Sequence, residues 1–349
     1  MDSRHTREPP AGLAERRQRF YDEIDTHAMA PLWEVLARLV PREPVTPCRP
    51  CHWSWPLVRE RLLQAGELIT AEEAERRVLV LENPGMRGQS CVTHSLYAGV
   101  QMILPGEVAP DHRHTATAIR LIMEGKGGFT TVDGERAGME RGDFIITPSW
   151  AWHGHGNEGA EPMFWLDGLD VPLVRLLDAS FSDPHRDAPA ASRGPEVSPL
   201  RFSGHLLPID YEPGGSNPVF RYPYERTREI LRQLSTAQPL DAAHGIKLRY
   251  AHPGTGGWAT ATMGAAVQWM PAGFESAAYR STDATVFCVI EGEGHSMVGD
   301  IRFDWRPNDV FVVPSWVPVS HCVARESVLF SMSDRPAQEA LGLWRESRS

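Results

Sequence analysis

The chain has 349 residues, room for two domains with sizeable cores, and its 42% hydrophobic and 23% charged content is that of an ordinary soluble globular protein. A formal net charge of −10 argues against a partner such as nucleic acid or an anionic membrane surface, so an anionic substrate must be drawn in by local cations. No apolar stretch reads as a leader or a membrane span, and five thinly spread cysteines do not make a disulfide framework, so the expected compartment is a reducing cytoplasm.

Residues 11–41 read as helical, with apolar residues such as Leu13, Phe20, Ile24 and Leu36 spaced among charges. The stretch 42–58, rich in Pro, Cys and Trp, is expected to wrap irregularly over a neighbour, and 58–64 and 70–77 to form short helical pieces. From Val78 the pattern turns to strands: 77–82, 96–104, 118–124, 128–132, 144–147 and 163–169, parted by turn signals such as Asp133-Gly134 and Gly142-Asp143. Residues 181–240 carry much of the Pro, Ser and Gly and read as a linker with a helix near 223–236, and a second strand-rich stretch runs from 256 to 334.

That second stretch repeats the first. The run Leu121–Gly127 is echoed by Phe287–Gly294, and Gly142–Trp150 by Asn308–Trp316. The expected division is therefore a helical arm over 1–77, a first unit over 78–180, a linker over 181–255 and a second unit over 256–349.

Chemistry concentrates in the first unit. His112 and His114 lie two apart and, in a strand, project from one face. His153 completes a facial set if its strand lies beside theirs. Three imidazoles without a carboxylate suit a divalent transition metal that keeps open positions. The repeat does not carry these ligands over: Tyr279, Ser281 and Val319 stand opposite His112, His114 and His153, so the second unit is expected to be metal-free. Cys48 and Cys51 have the spacing of half a zinc knuckle, but no second pair follows.

The pattern Gly106-x5-His112-x-His114, then Gly142-x5-Pro148-x4-His153-x3-Asn157, resembles the two motifs of the cupin superfamily. It departs from many cupins in having Ala118 and Ile119 where a glutamate ligand often stands. A three-histidine site resembles the gentisate 1,2-dioxygenase family of bicupins, as do Leu96–Gly106, Val132–Arg136 and Gly142–Trp150; the resemblance covers roughly 76–335. It implies an all-β bicupin, two jelly-roll β-barrels with an N-terminal helical arm, assembled as a homotetramer. It also implies Fe(II) and O2 as reactants with a small aromatic hydroxy-acid: gentisate to maleylpyruvate, or, as the alternative, ring cleavage of salicylate, a substituted salicylate or 1-hydroxy-2-naphthoate. A metal cupin that only binds an aromatic carboxylate is the reading from a different class.

Around the ligands, Arg120 lies six residues beyond His114 and would share its inward face, where its fork of donors suits a substrate carboxylate. His155 shares a face with His153 and is expected to exchange a proton with a substrate hydroxyl. Asp167, at strand spacing from Trp165, is expected to orient His155 or an outer hydroxyl. Tyr97, Gly99 and Gln101 share one strand face and are expected to line the substrate pocket with Trp165. The resemblance places a substrate-contacting arginine near Arg76 and Arg77; Arg76 is favoured, though the sequence barely separates the two.

Overall fold

The computed structural model describes residues 12–183, 194–202, 206–212 and 216–348. It divides into two compact units, 1–45 and 46–349. The first holds α1 (Leu13–Thr26) and α2 (Leu32–Leu39), so the single helical stretch expected over 11–41 is two helices. The break has local causes: Ala28 takes a positive φ of 54°, and Pro31 precedes α2 as its N-cap. The helices are joined by Tyr21, whose hydroxyl donates to Glu34 at 2.6 Å and accepts from Trp33 Nε1 at 2.9 Å.

The second unit opens with β1 (Cys51–Trp53), α3 (Trp55–Leu68) and α4 (Ala71–Ala74). The first barrel follows: β2 (Arg77–Val80), β3 (Tyr97–Ile103), β4 (Val108–His114), β5 (Ala118–Glu124), β6 (Gly128–Val132), β7 (Glu135–Met139), β8 (Phe144–Thr147), β9 (His153–Asn157) and β10 (Met163–Leu169). Next come α5 (Val171–Leu176), β11 (Ser182–Asp183), β12 (Gly194–Pro195), α6 (Ser198–Arg201), β13 (Arg221–Tyr222) and α7 (Tyr224–Ala237). The last part comprises β14 (Ile246–Arg249), β15 (Gly264–Met270), β16 (Tyr279–Ser281), β17 (Thr285–Val298), β18 (Ile301–Trp305), β19 (Val310–Val313), β20 (Val319–Ser333), α8 (Arg335–Ala340) and β21 (Glu346–Arg348).

Two six-stranded sheets build the first barrel, in the orders β13-β8-β5-β10-β3-β2 and β11-β4-β9-β6-β7-β12. The second part is a nine-stranded sheet whose main path is β1-β19-β17-β20-β15-β14. The Pro/Cys/Trp stretch expected to be irregular therefore contributes a strand, Cys51 pairing with Val312 and Trp53 with Val310. The sequence hides this because the partner lies over 250 residues away. The Asp133-Gly134 turn has φ of 47° and 86°, the double positive φ that a tight two-residue hairpin needs.

Strand alternation sets the interior. In β5, Ile119, Leu121 and Met123 point into a large core shared with the second sheet, where Phe144 meets Tyr250 and Phe330 at ring-centroid distances of 4.5 and 5.7 Å. Ile122 faces the other way, into the first barrel with Ile145, Met163 and Trp165. Arg120 is in phase with Ile122, so the same period of two drives a guanidinium into the barrel, 4% exposed.

Candidate metal centre

His112 pairs directly with His153 across β4 and β9, and a register shift between Ala109 and His112 marks a bulge beside them. With His114, the three rings offer nitrogen atoms within 4.8 Å of one another, the one such group of His, Cys, Asp or Glu among the described residues. Ring centroids lie 4.0 Å apart for His112 and His153, 4.8 Å for His114 and His153, and 5.4 Å for His112 and His114. His114 Nδ1 lies 2.7 Å from the Ala116 carbonyl and His153 Nδ1 2.9 Å from that of Ala151, which leaves each Nε2 free. His153 Nε2 is buried and has no partner.

Burial first, then the neighbouring cations, push His112 down to about 3, while burial above all lowers His114 to about 4. His153 falls well below its ordinary value for the same first reason. Neutral rings with an orphaned, buried lone pair are the donor set a transition metal takes. The strand is braced from outside: Trp150 N donates to the His114 carbonyl at 2.8 Å and Ser149 Oγ to that of Thr115 at 2.6 Å. Asp111 stands outside the histidine group, its carboxylate accepting from Thr131 Oγ1 at 3.3 Å.

The facing sheet supplies the other groups. Arg120, Asp167 and Gly99 lie on one row, because β10 pairs Asp167 with Arg120 on one side and with Gly99 on the other. Arg120 Nη1 donates to Thr147 Oγ1 at 2.5 Å. Its Nε stands 3.1 Å from Asp167 Oδ1, an ion pair with both side chains buried. Asp167 also accepts from Trp165 Nε1 at 3.1 Å. Burial raises the Asp167 carboxyl to about 6, with Arg120 pulling it back.

Asp167 was expected to orient His155 or an outer hydroxyl; its carboxylate meets Arg120 and Trp165, and His155 Nδ1 is buried without a partner. His155 packs against His153 and Trp165 at centroid distances of 5.9 and 5.5 Å, and burial, followed by Arg120, lowers its pKa well below 6.5.

The structure separates the two arginines. Arg77 is spent: both terminal nitrogens donate to Glu107, at 2.5 and 2.6 Å, and Nε to the Ile69 carbonyl at 2.8 Å. Arg76 acts electrostatically on His112, His114 and His155 and is itself stabilised by Asp167, and its buried Nε has no partner. Just before the two arginines Glu75, with φ of 51°, turns the chain at the end of α4, a helix that a Thr70/Glu73 capping box starts. The Thr70-x-x-Glu73 spacing was readable; Thr147 and Glu107 had no such signal.

Tyr97 is half-buried and its phenol is pushed up by burial and by Asp167. A Cβ on Gly99 would stand 2.7 Å from the Tyr97 hydroxyl and 2.6 Å from Val78 Cγ1, so the ring lies where a larger residue would intrude. Gln101 is buried and, with Arg76 and Ala109, lines a cavity of about 20 Å³. Elsewhere, Asn83 Nδ2 approaches both Cys48 and Cys51 sulfurs, at 3.1 and 3.5 Å, while His52 turns to Asp309. In the second sheet Tyr279 pairs with Val319 as His112 pairs with His153, and Trp316 N donates to the Ser281 carbonyl as Trp150 N does to that of His114.

A family model described as the cupin domain matches residues 99–169. The chain is 50% identical over 344 residues to gentisate 1,2 dioxygenase 1 of Aquipseudomonas alcaligenes, covering 98% of this chain and 99% of that one. It is 38% identical to a gentisate 1,2-dioxygenase of a Streptomyces species, covering 94% of each. The crystal structure of salicylate 1,2-dioxygenase from Pseudoaminobacter salicylatoxidans with gentisate superposes with a TM-score of 0.90 at 32% identity, covering 99% of this chain and 96% of that one.

Proposed function

This chain belongs to the gentisate 1,2-dioxygenase family of ring-cleaving bicupin enzymes, and on that premise we propose that it converts gentisate and O2 to maleylpyruvate at an iron(II) ion held by His112, His114 and His153. The observation that carries this reading is the meeting of three neutral imidazoles with two guanidinium groups, Arg76, whose buried Nε is unspent, and Arg120, which Asp167 and Thr147 hold in place. When bound, the ion supplies electron transfer between ring and O2.

The chain's own residues do the rest. Arg76 and Arg120 take the substrate carboxylate, where charge-assisted donors in a dry site are strong. Asp167 holds Arg120 in place from behind, and Trp165 holds Asp167. His155, neutral and with an open nitrogen, accepts a proton from the substrate hydroxyl. Tyr97 and Gln101 line the ring, and Gly99 keeps space beside it. Packing of the two sheets excludes water from the rings of His153 and His155, which are 1% and 2% exposed.

The division into arm, metal-bearing cupin, linker and metal-free cupin at 77, 180 and 255 belongs to the same reading, although residues 1–11 and parts of the linker lie outside the described residues. So does a homotetramer, for which exposed Leu32, Trp33, Leu36 and Leu39 of the arm offer an apolar face. A cytoplasmic setting suits five free cysteines, and no helix among the described residues is long and apolar enough to cross a membrane. The test is oxygen uptake by iron-loaded protein with gentisate, salicylate and 1-hydroxy-2-naphthoate in parallel, products identified by mass. Uptake led by gentisate is expected. Equal turnover of salicylate would move the specificity, and binding without uptake would leave a non-catalytic metal cupin.

A further inference from the structure

The second cupin keeps an inward-facing polar cluster that the ring-cleavage reading does not use. Lys247 on β14 pairs with Gln268 on β15, the register by which Val78 meets Gln101 in the first barrel. Together with His244, Tyr279, Ser281 and His321 they line a cavity of about 20 Å³. One water needs roughly 10–15 Å³ of such space, so the cavity suits a group of one to two water-sized parts.

Two features set it apart from a satisfied core. Gln268 is fully buried, yet its Oε1 has no partner and its Nε2 reaches only Met270 Sδ at 3.3 Å. Exchanging the two amide atoms would offer an N–H pair to the cavity instead, so the side chain can serve as donor. The Lys247 ammonium has no hydrogen bond or ion pair among the described residues; its Nζ stands 5.7 Å from the centroid of the Phe287 ring.

The charges facing Lys247 leave an excess of positive sign. Asp283 and Asp241 favour its charged form, while Arg335 and Arg348 oppose it. Asp283 is already held by Trp344 Nε1 at 2.8 Å, and Arg348 Nη1 by Asp241 at 2.7 Å. Arg335 is spent on Glu339 at 2.7 Å, and of the charges that line the cavity itself Asp283 offsets Arg280, so the amine remains. His321 is neutral, with Nδ1 against Ser296 Oγ at 2.8 Å, and His244 packs edge-on to Tyr279 at 4.5 Å. A cation-binding site is disfavoured by the ammonium, and an apolar ligand by this density of donors.

We infer that the metal-free cupin binds a small carboxylate, of formate size, through Lys247, Gln268, Tyr279 and Ser281. The site is separate from the histidine triad and does not depend on what the triad catalyses.

Calorimetric titration of formate into the full-length iron-loaded protein tests this, with Lys247→Met, Gln268→Leu and Tyr279→Phe alongside, and with chloride and benzoate as competing probes. A charge-assisted hydrogen bond is worth about 1.5–3 kcal/mol, so Lys247→Met should weaken the formate site by roughly tenfold or more. Gln268→Leu and Tyr279→Phe should weaken it less, oxygen uptake should stay near the unmodified rate in all three, and benzoate should be excluded by size. Any formate taken at the iron is unaffected by these changes and subtracts out. Equal formate affinity in folded Lys247→Met, chloride binding as tight as formate, or no Lys247-dependent heat would each overturn the inference. If Lys247→Met does not fold, unchanged affinity in both other variants overturns it equally.

Discussion

Arg76 and Arg77 are neighbours in sequence with opposite surroundings, and exchanging each for methionine should give opposite phenotypes. Arg77 is 5% exposed at its side chain, grips Glu107 with two bonds and donates a third to Ile69. Its bond to Glu107 holds that carboxyl below the ordinary range. Removing one partner of a buried pair costs about 3–5 kcal/mol, and because Glu107 is 19% exposed the low end applies. Arg77→Met should therefore lose about 3 kcal/mol of stability while keeping its KM for gentisate. Arg76 has its Nε unspent, so Arg76→Met removes a charge-assisted bond that only substrate completes. At about 1.5–3 kcal/mol that is roughly a 10- to 150-fold loss in kcat/KM, with melting temperature and iron content preserved. Thermal melts, metal analysis and steady-state oxygen uptake on the two proteins decide it. A stable Arg77→Met with a raised KM, beside an unstable Arg76→Met with normal kinetics, would refute the assignment.

Further outcomes follow from the same geometry. Arg120→Met should leave Asp167 buried without its cation, push that carboxyl further up, and cost about 3 kcal/mol or more in a denaturant titration; an unchanged midpoint would contradict the pairing. Gly99→Ala places a Cβ 2.7 Å from the Tyr97 hydroxyl, so the ring must shift; the ratio of gentisate to salicylate turnover should change while iron content does not. In metal-free protein, His112 and His114 sit at about 3 and about 4 against roughly 6.5 when unfolded, so their contribution is present above pH 6.5 and is lost as pH falls toward those values. Asp167, raised to about 6, opposes this between about pH 6 and 4, yet the histidines outnumber it. Urea midpoints should fall between pH 7 and 5, and a flat or rising profile would show the histidines to be open to water in solution.

What the sequence made legible was local. The histidine pair at i and i+2, the Gly-x5-Pro turn that returns His153, and the Asp133-Gly134 hairpin are all read within a few residues. Each survives in the structure because turn chemistry and strand period act at that range. Non-local pairing was not legible. Nothing near Cys51 announces a bond to Val312, and nothing near Asp167 says that β10 will lie beside β5 and hand it Arg120. The division of labour between Arg76 and Arg77 turns on distant partners, Glu107 and the Ile69 carbonyl, which nothing beside the pair announces. The split of the arm could have been read from Pro31, which stiffens the chain just before α2.

The most direct test of the central claim compares iron content with oxygen uptake on gentisate in the unmodified protein and in His153→Ala, both loaded with Fe(II). His153 is 1% exposed and its Nε2 has no other partner, so the variant should lose bound iron and turnover together, while the unmodified chain holds one iron and consumes one O2 per gentisate. A folded His153→Ala that keeps its iron and still opens the ring would show that the metal sits elsewhere.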